Sequence, residues 1–299
     1  RLKHVRVPRT YQDIFMASLF VNELTNIDFS YLDPHRGVVG ESWYLDVQLY
    51  GDLDEQGMVF DFGLVKKVIR QYVDDSYDHK LWVPTSYTGC TVEKESNDYC
   101  RVTMPLSNGG HITHYGPSEA VALFNEQSLT KSIFAKRLEA ELLALLPDNV
   151  KEIRTFLREE EIESAYYHYT HGLQKHQGNC QRIAHGHRSR IEVQLNGERC
   201  LDTENALANT WQDIYIATES HIESRYTDNG INYLTIGYTA PQGRFELSLP
   251  ACFCQVIPYD STVELIAKYL AEYLKKNNPG NSYKVKAFEG IKKGAIAFA

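Results

Sequence analysis

The chain has 299 residues, a formal net charge of −8 and 43% hydrophobic residues. This length and apolar content allow one large domain or two domains of ordinary size, each with its own core. The acidic balance argues against nucleic acid as the main partner, because binding to the phosphate backbone normally needs a basic surface. No apolar run approaches the roughly 18 residues of a membrane-spanning helix. We therefore expect a cytoplasmic protein that acts on a small molecule and has no membrane partner.

The first 15 residues precede a more regular apolar pattern that begins at Met16. We interpret residues 1–15 as an extension outside the fold. Six cysteines are scattered along the chain without a CxxC pair. This usage indicates reduced thiols rather than a secreted disulfide framework.

The predicted elements begin with two strands, the second of which ends in Asp46-Val-Gln-Leu-Tyr-Gly51 with alternating apolar residues. A helix is predicted over 61–73, with Asp61 as its cap. Its apolar face consists of Phe62, Val65, Val68, Ile69 and Tyr72. Further strands, a second helix that contains IFAKRLEAELL, and a final strand complete this half of the chain.

The second half repeats the first. Three pairs of matching motifs recur in the same order: Asp46–Gly51 with Glu192–Gly197, Pro117 and Ser128 with Pro250 and Ser261, and Glu159 and Ala165 with Glu289 and Ala295. The offset falls from 146 to 133 to 130 residues, as expected if loops are shorter in the second copy. These matches predict a tandem duplication, with one unit over 16–163 and the other over 164–299. Strands with helices on one face indicate the α+β class.

Histidines cluster between His168 and His187. His185 and His187 precede an alternating strand, so both imidazoles should lie on one face, with room for close approach at Gly186. With His171 on the preceding strand, three imidazoles would leave a tetrahedral zinc ion one open position, as in a catalytic site. Core or surface roles would also explain a His-Gly-His triplet. They remain the interpretation for His168, which has the opposite strand parity, and for His176, in a predicted loop.

At this point the sequence resembles a known family. The residues Thr170-His-Gly-Leu173, Cys180 and His185-Gly-His187 resemble the zinc-site signature of the 6-pyruvoyl-tetrahydropterin synthase and 6-carboxytetrahydropterin synthase family. Further similar motifs are Met58–Gly63, Tyr77-Asp-His-Lys80, Ser261-Thr-Val-Glu264 and Tyr283–Glu289. The resemblance covers nearly everything from Met16 to the end. It implies two tandem tunnelling-fold units, whose antiparallel sheets carry helices on one face and assemble into a barrel.

The resemblance also implies roles for individual residues. Those roles are Zn²⁺ ligands for His171, His185 and His187, catalytic base for Cys180, pterin anchor for Glu289, and substrate binding for Thr262 and Glu264. Purely structural alternatives stay open: Cys180 could be an inert buried thiol, and Glu289 could be a solvated strand carboxylate. Ser261 and Glu264 also form an S-x-x-E capping box, which needs no substrate.

The first unit departs from the family pattern. It has Val39-Gly-Glu41 where the second has His185-Gly-His187, so we expect about one zinc ion per chain. It keeps Asp78 and His79, which resemble the Asp-His pair that completes a relay with the cysteine across a subunit interface. We interpret His221, after Ser220, as the counterpart of His79 in the second unit. We therefore predict that zinc and Cys180 come from one unit and Asp78-His79 from the other; the alternative is an ordinary pair at a helix end.

The function implied is a lyase that converts 7,8-dihydroneopterin triphosphate to 6-carboxy-5,6,7,8-tetrahydropterin in queuosine biosynthesis. The alternative product is 6-pyruvoyl-tetrahydropterin, and an alternative of another class is a non-catalytic pterin-binding or assembly protein. Four basic residues near the metal motif are candidates for the triphosphate: Lys175, Arg182, Arg188 and Arg190.

The duplication also constrains assembly. Open sheet edges invite association, and the units would have to alternate around a closed ring if the relay forms within it. Alternation requires an even number of units. We therefore predict a homo-oligomer, a ring of two chains that contains four units, alone or stacked on a second ring to give four chains; the rival is three chains, with one ring of first units and one of second units.

Overall fold

The computed structural model describes residues 17–299, so the predicted extension over 1–15 lies outside the described residues. The chain divides into two compact units. The first comprises the described part of Arg1–Asn26 together with Tyr44–Asp75 and Thr130–Arg158, and the second comprises Ile27–Trp43, Ser76–Leu129 and Glu159–Ala299. The boundaries of these compact units differ from the boundary predicted after residue 163. That boundary separates the two copies of the repeated sequence, and it stays a prediction.

The two halves of the chain contain the same series of elements. The first half contains β1 (Ala17–Asp33), β2 (Gly37–Gly51), α1 (Phe62–Ser76), β3 (Leu81–Pro84), β4 (Thr91–Lys94), β5 (Tyr99–Pro105), β6 (His111–Pro117), β7 (Val121–Phe124), α2 (Lys131–Leu143) and β8 (Val150–Arg158). The second contains β9 (Tyr166–His171), β10 (His185–Leu195), β11 (Glu198–Arg199), α3 (Leu201–Thr210), β12 (Ile214–Thr218), β13 (Ile222–Asp228), β14 (Ile231–Ala240), β15 (Gly243–Pro250), β16 (Cys254–Ile257), α4 (Val263–Asn277), β17 (Tyr283–Phe288) and β18 (Gly294–Phe298). Apart from β11 and β18, the order in the second half repeats that in the first, as a duplication predicts. Among residues 17–299, none of the helices is long and apolar enough to span a bilayer.

In the first unit, β2 pairs antiparallel with β8, and α2 packs against β8. The helix predicted over 61–73 is confirmed as α1, and Asp61 caps it by accepting a hydrogen bond from the Leu64 N–H at 3.1 Å. Val65 and Ile69 of its predicted apolar face are buried. Phe62 is 56% exposed, so it does not belong to that face.

In the second unit, a sheet has the strand order β16-β12-β9-β10-β17-β18. β9 pairs antiparallel with β10 and parallel with β12. Its core includes residues of the sheet and of α3 and α4: Tyr167, Tyr169, Ile191, Leu207, Ile266 and Leu270. The parallel pairs β1·β3 and β3·β7 of the first half are matched here by β9·β12 and β12·β16. The duplication therefore extends to the pairing of strands.

Another sheet of the second unit joins strands from both halves in the order β13-β14-β15-β6-β5-β4. At its centre β15 pairs antiparallel with β6, and Leu247 lies directly opposite His114. The two residues are counterparts in the duplication, because each lies three positions before the matching Pro250 or Pro117. Strands β6 and β15 are therefore related by an approximate local twofold axis at this pair.

The hairpins β1–β2 and β9–β10 also meet through counterpart residues. A Cβ atom on Gly40 would lie 1.9 Å from the Tyr169 carbonyl oxygen, and one on Gly186 would lie 2.6 Å from Gly40 Cα. Neither position can carry a side chain, in agreement with the close approach predicted at Gly186. Beside them, Ser30 Oγ lies 2.8 Å from Thr170 Oγ1 in a buried hydrogen bond.

Candidate metal centre

Three histidines converge where β9 and β10 lie side by side. His171 is directly opposite His185, and His187 lies two residues further along β10 on the same face. Their ligand atoms lie within 4.8 Å of one another, and all three side chains are buried. The strand geometry predicted for these histidines is therefore confirmed.

The orientation of each ring is fixed by one of its two nitrogens. The Nδ1 atoms of His171, His185 and His187 face Ser261 O at 2.8 Å, Arg182 O at 2.9 Å and Asp28 Oδ1 at 3.2 Å, respectively. Because the Nδ1 atoms of His171 and His185 form hydrogen bonds with carbonyl oxygens, they carry the proton and leave a lone pair on Nε2, whereas His187 Nδ1 lies near Asp28 without hydrogen-bond geometry. All three Nε2 atoms are buried without a hydrogen-bond partner among the described residues.

These Nε2 atoms could together hold a metal ion. A buried polar atom without a partner is costly, and three at one point need a common occupant. Burial is also the main cause that lowers the pKa of His171 and of His185 well below 6.5, so both are neutral as ligands must be. Three imidazole nitrogens fit a tetrahedral ion with one open position.

Asp28 is a site residue that the sequence analysis missed. It lies on β1 of the first half, yet its carboxylate reaches His187 and accepts a hydrogen bond from Ser42 Oγ. Burial alone would raise the pKa of Asp28, but the charge and hydrogen bond of His187 outweigh it and lower the pKa to about 2. The available signal was a carboxylate between Ile27 and Phe29 in a strand buried on both faces.

Asp78 and His79 lie beside Asp28. The Asp28 N–H donates to Asp78 Oδ1 at 2.9 Å, and the His79 N–H donates to the Asp28 carbonyl at 2.7 Å. The Asp78 carboxylate also forms a hydrogen bond with His79 Nδ1. Asp78 therefore holds both the backbone of β1 and the imidazole of His79.

His79 brings the first half of the chain to the cysteine of the second. Ligand atoms of His79, Cys180 and His185 lie within 4.8 Å of one another, and the rings of His79 and His185 are 5.0 Å apart. Burial alone would lower the pKa of His79, but its hydrogen bonds to Asp78 and Cys180 raise it well above 6.5. The two parts of the predicted relay thus meet within one chain.

Glu289 lies immediately after β17, beside the metal centre. The next residue, Gly290, has φ of +66°, and a Cβ atom there would lie 2.6 Å from Asp28 Oδ1. Burial, followed by the charge of Glu289, raises the pKa of Tyr169 well above 10. The Tyr169 ring in turn lies 5.3 Å from that of His187. Glu289 is therefore held close to the three histidines.

The chain matches the family model for 6-pyruvoyl tetrahydropterin synthase over residues 15–96 and 161–298. It belongs to the 6-pyruvoyl tetrahydropterin synthase family. The matched segments contain the three histidines as well as Asp78, His79, Cys180 and Glu289. The described metal centre thus lies wholly within the parts of the chain that are typical of the family.

Individual relatives match less of the chain. A Methanocaldococcus jannaschii protein, provisionally assigned as a 6-carboxy-5,6,7,8-tetrahydropterin synthase, is 39% identical over 56 residues, which cover 18% of this chain and 34% of that protein. The Plasmodium vivax 6-pyruvoyl tetrahydropterin synthase structure has a TM-score of 0.36 at 16% identity, covering 48% of this chain and 97% of that one. The Plasmodium falciparum structure has a TM-score of 0.35 at 11% identity, covering 48% and 96%. The chain thus spans about a third of the curated relative's length, and the family assignment rests on the family model.

His221 is not the family histidine's second copy. It ends a 3-10 turn after β12, whereas His79 lies before β3, the strand that corresponds to β12. The residue in the matching place is Asp213, which shares a positive φ with His79 (59° and 53°). His221 Nε2 instead lies 3.0 Å from Gln174 Oε1. The prediction that His221 corresponds to His79 is therefore wrong.

The start of α4 also differs from the prediction. Thr262, not Ser261, is its N-cap, and its side chain accepts a hydrogen bond from the Leu265 N–H at 3.4 Å. The predicted capping box is wrong because Ser261 precedes the N-cap and its Oγ lies 3.2 Å from His171 Nδ1, while Glu264 is exposed in the first turn. Thr262 lines a cavity of about 170 Å³.

The basic residues near the metal motif lie in different places in this structure. Arg188 and Arg190 alternate with the histidines along β10 and therefore lie on the opposite face. Both contact Glu160, Arg188 through the backbone carbonyl at 2.8 Å and Arg190 through the carboxylate at 3.3 Å. The prediction that these two bind triphosphate beside the metal is wrong. Lys175 is exposed and pairs with Asp260 at 2.7 Å.

Proposed function

We propose that this chain is a zinc-dependent lyase that converts 7,8-dihydroneopterin triphosphate and water to 6-carboxy-5,6,7,8-tetrahydropterin, with release of triphosphate and of the two remaining side-chain carbons as acetaldehyde. The observation that carries the proposal is the convergence of three partnerless Nε2 atoms beside the His79–Cys180 contact. The alternative product, 6-pyruvoyl-tetrahydropterin, would use the same residues.

His171, His185 and His187 would hold the zinc ion through Nε2. When bound, the ion polarises the side-chain hydroxyl groups of the substrate as a Lewis acid. The carbonyl acceptors on the Nδ1 atoms of His171 and His185 would keep these two rings in the ligating tautomer, and the Asp28 carboxylate near His187 Nδ1 would favour the same tautomer there.

Cys180 would act as the base that moves a substrate proton. The hydrogen bonds to Asp78 and Cys180 raise the pKa of His79 and so favour its protonated form, which would place a proton donor beside the thiol. Asp78 fixes the tautomer of His79 and stabilises its charged form, as the acid of a catalytic triad does for its histidine. A proton taken by Cys180 could be returned through His79.

Glu289 would anchor the pterin ring. Its carboxylate can accept two parallel hydrogen bonds from the amino group and a ring N–H, a charge-assisted bidentate contact. Gly290 packs against the Asp28 that faces His187, so the anchor and the metal ligands form one rigid structure. This rigidity would hold the side chain of the substrate in register with the metal.

The six-stranded sheet formed by both halves favours assembly into a barrel. Its outer strands are β13 and β4, and almost all of their residues are exposed or only partly buried. An unpaired edge is a template for another strand. A second copy would provide two matching edges, so a closed ring of two chains, alone or stacked in pairs, is the assembly we propose.

Product analysis tests the function directly. Zinc-loaded protein is incubated with 7,8-dihydroneopterin triphosphate, and the products are identified by mass. We expect triphosphate and 6-carboxy-5,6,7,8-tetrahydropterin. A 6-pyruvoyl product would select the alternative, and no turnover by protein with a full metal site would overturn the assignment as an enzyme.

A further inference from the structure

A cavity of about 770 Å³ lies beside Glu41 in the second unit, outside the metal centre. It is the size of a small-molecule site, and it is open to solvent. Its lining is mostly polar and aromatic: Tyr31, Arg36, Glu41, Trp43, Glu159, Tyr166, His168, Arg188, Asn205, Asn209 and Gln212, with Ser164, Ala165 and Ala208. No role proposed above uses this cavity.

The approximate twofold relation explains where this cavity lies. Ser30 faces Thr170, and Gly40 faces Gly186, so each hairpin meets its own counterpart. Ser30 pairs with Leu81 as Thr170 pairs with Tyr215, which fixes the correspondence of β1 with β9. A site on one side of this axis must therefore have a counterpart on the other.

Position by position, the cavity is that counterpart. The residues Tyr31, Glu41, His168, Gln212 and Glu159 of its wall occupy the places of His171, His187, Asp28, Asp78 and Glu289. A contact between an acid and an imidazole occurs in both places, but the acid and the imidazole have exchanged positions. Glu41 Oε2 lies 3.8 Å from His168 Nδ1 in the cavity, whereas Asp28 meets His187 in the metal centre.

The cavity has lost the metal donors and kept the rest. Tyr31, Val39 and Glu41 stand where the three histidines are, and Val39 has no donor atom. The place of His79 is taken by Asp213, which binds Arg36 through two hydrogen bonds of 2.7 and 2.6 Å. The pocket therefore lacks the means for metal-assisted chemistry but remains a built polar site.

Its remaining chemistry fits a flat heterocycle. Glu159 follows β8 as Glu289 follows β17, in matching pairs with β2 and β10, so its carboxylate borders the cavity as Glu289 borders the metal centre. Tyr166 is 39% exposed, and the Arg188 guanidinium lies 4.0 Å from its ring centroid. Side-chain amides of α3 and the residues after it add hydrogen-bond donors and acceptors.

We propose that this cavity is a second, metal-free binding site for a heterocycle with a 2-amino-4-oxopyrimidine edge, as in a pterin or a guanine, anchored by Glu159. The choice of ligand rests on the proposed function, because Glu159 stands in the place of the proposed pterin anchor. The site would bind without converting its ligand. Each chain would then bind one ligand at the catalytic site and one at the non-catalytic site.

Equilibrium dialysis of the full chain against neopterin tests the inference, with guanosine 5′-monophosphate in a parallel arm. We expect two neopterin molecules per chain, one after Glu159→Gln, one after Glu289→Gln and none after both changes. Glu161→Gln, an exposed neighbour, is the matched control and should leave two. Replacing His185 and His187 by alanine should leave the Glu159-dependent site intact. If guanosine 5′-monophosphate occupies the Glu159-dependent site in place of neopterin, the ligand is of the guanine type.

The outcomes separate this inference from the proposed function. One neopterin per chain that is lost with Glu289→Gln and unaffected by Glu159→Gln would overturn the second site and leave the proposed function standing. One that is lost only with Glu159→Gln would support the second site and contradict Glu289 as the anchor. If neither ligand binds in a Glu159-dependent way, the inference is wrong, while product analysis still decides the function.

Discussion

Asp28 and His187 come from different halves of the chain, and their side chains meet with Oδ1 3.2 Å from Nδ1. The ligand thus belongs to one repeat, and the group that orients it belongs to the other. Ser42, also from the first repeat, donates a hydrogen bond to the same carboxylate and accepts one from the Arg188 N–H at 3.3 Å. The metal centre is therefore a joint product of both repeats, although all three histidines lie in one.

Replacing Asp28 by asparagine should weaken metal binding. The amide removes the charge that favours the ligating tautomer of His187, and loss of such a partner lowers metal affinity by about 10–100-fold. Competition between the protein and a chromophoric chelator for zinc measures the change. Asp228→Asn, an exposed carboxylate at the end of β13, is the control, and equal zinc affinity in both variants would refute the role of Asp28.

Metal analysis should find about one zinc ion per chain. Among residues 17–299, only the second repeat has three imidazoles in ligand arrangement, whereas the first has Val39 and Glu41 in the corresponding places. The double variant His185→Ala, His187→Ala should lose the metal while keeping its secondary structure by circular dichroism, because the core of Tyr167, Ile191 and Leu270 does not include these side chains. Two tightly bound ions in the wild type would contradict the single site.

Cys180→Ala should retain zinc and pterin binding but lose turnover by about 10²–10⁴-fold, the usual contribution of a positioned acid–base group. Steady-state kinetics with metal content measured on the same sample checks this. Cys252→Ala, at an exposed thiol, should behave as the wild type. Normal turnover by a zinc-loaded Cys180→Ala protein would remove the thiol from the mechanism.

His114 should make the fold sensitive to mild acid. Burial lowers its pKa to about 4, whereas an unfolded histidine titrates near 6.5. The unfolded chain therefore binds more protons between these values, and stability falls as the pH drops below 6.5, by about 2 kcal/mol at pH 5 from this residue. His114→Leu matches its counterpart Leu247, and denaturant unfolding at pH 5 and pH 8 should show a smaller difference for the variant. An unchanged difference would mean that His114 is protonated in the folded state.

Light scattering should give two or four times the chain mass of 34.3 kDa. His79 and Cys180, the two parts of the proposed relay, meet within one chain, and the six-stranded sheet has unpaired strands only at its two edges. A second copy can satisfy both edges. A clean trimer would show that the edges are covered in another way.

Periodicity and motif spacing were sufficient for the local parts of this structure. The α1 helix with its Asp61 cap and the placement of His185 and His187 on one face depend on neighbours within a few residues, so the sequence predicted them. The predicted boundary of α4 failed because Ser261 is committed to a tertiary contact with His171 that outweighs its capping propensity. The short pattern S-x-x-E at 261–264 does not reveal this contact.

The rest of the site depends on which strands meet. Asp28 reaches His187 only because the two hairpins pack against each other at their glycines, and nothing near Asp28 in the chain reveals that neighbour. His221 was misassigned for a related reason. The assignment rested on a two-residue similarity and not on position in the fold. The positive φ before β12 identifies Asp213 as the residue that corresponds to His79.

The contact of Gly40 with Gly186 bears on how much redundancy the duplication provides. A duplicated gene usually leaves one copy free to accumulate changes, since the other still performs the task. Here a side chain at either glycine would strike the backbone of the opposite hairpin, within 2.7 Å in both directions. A change in the repeat without metal ligands is therefore felt directly in the repeat that has them. At this contact, neither half of the chain can change independently of the other.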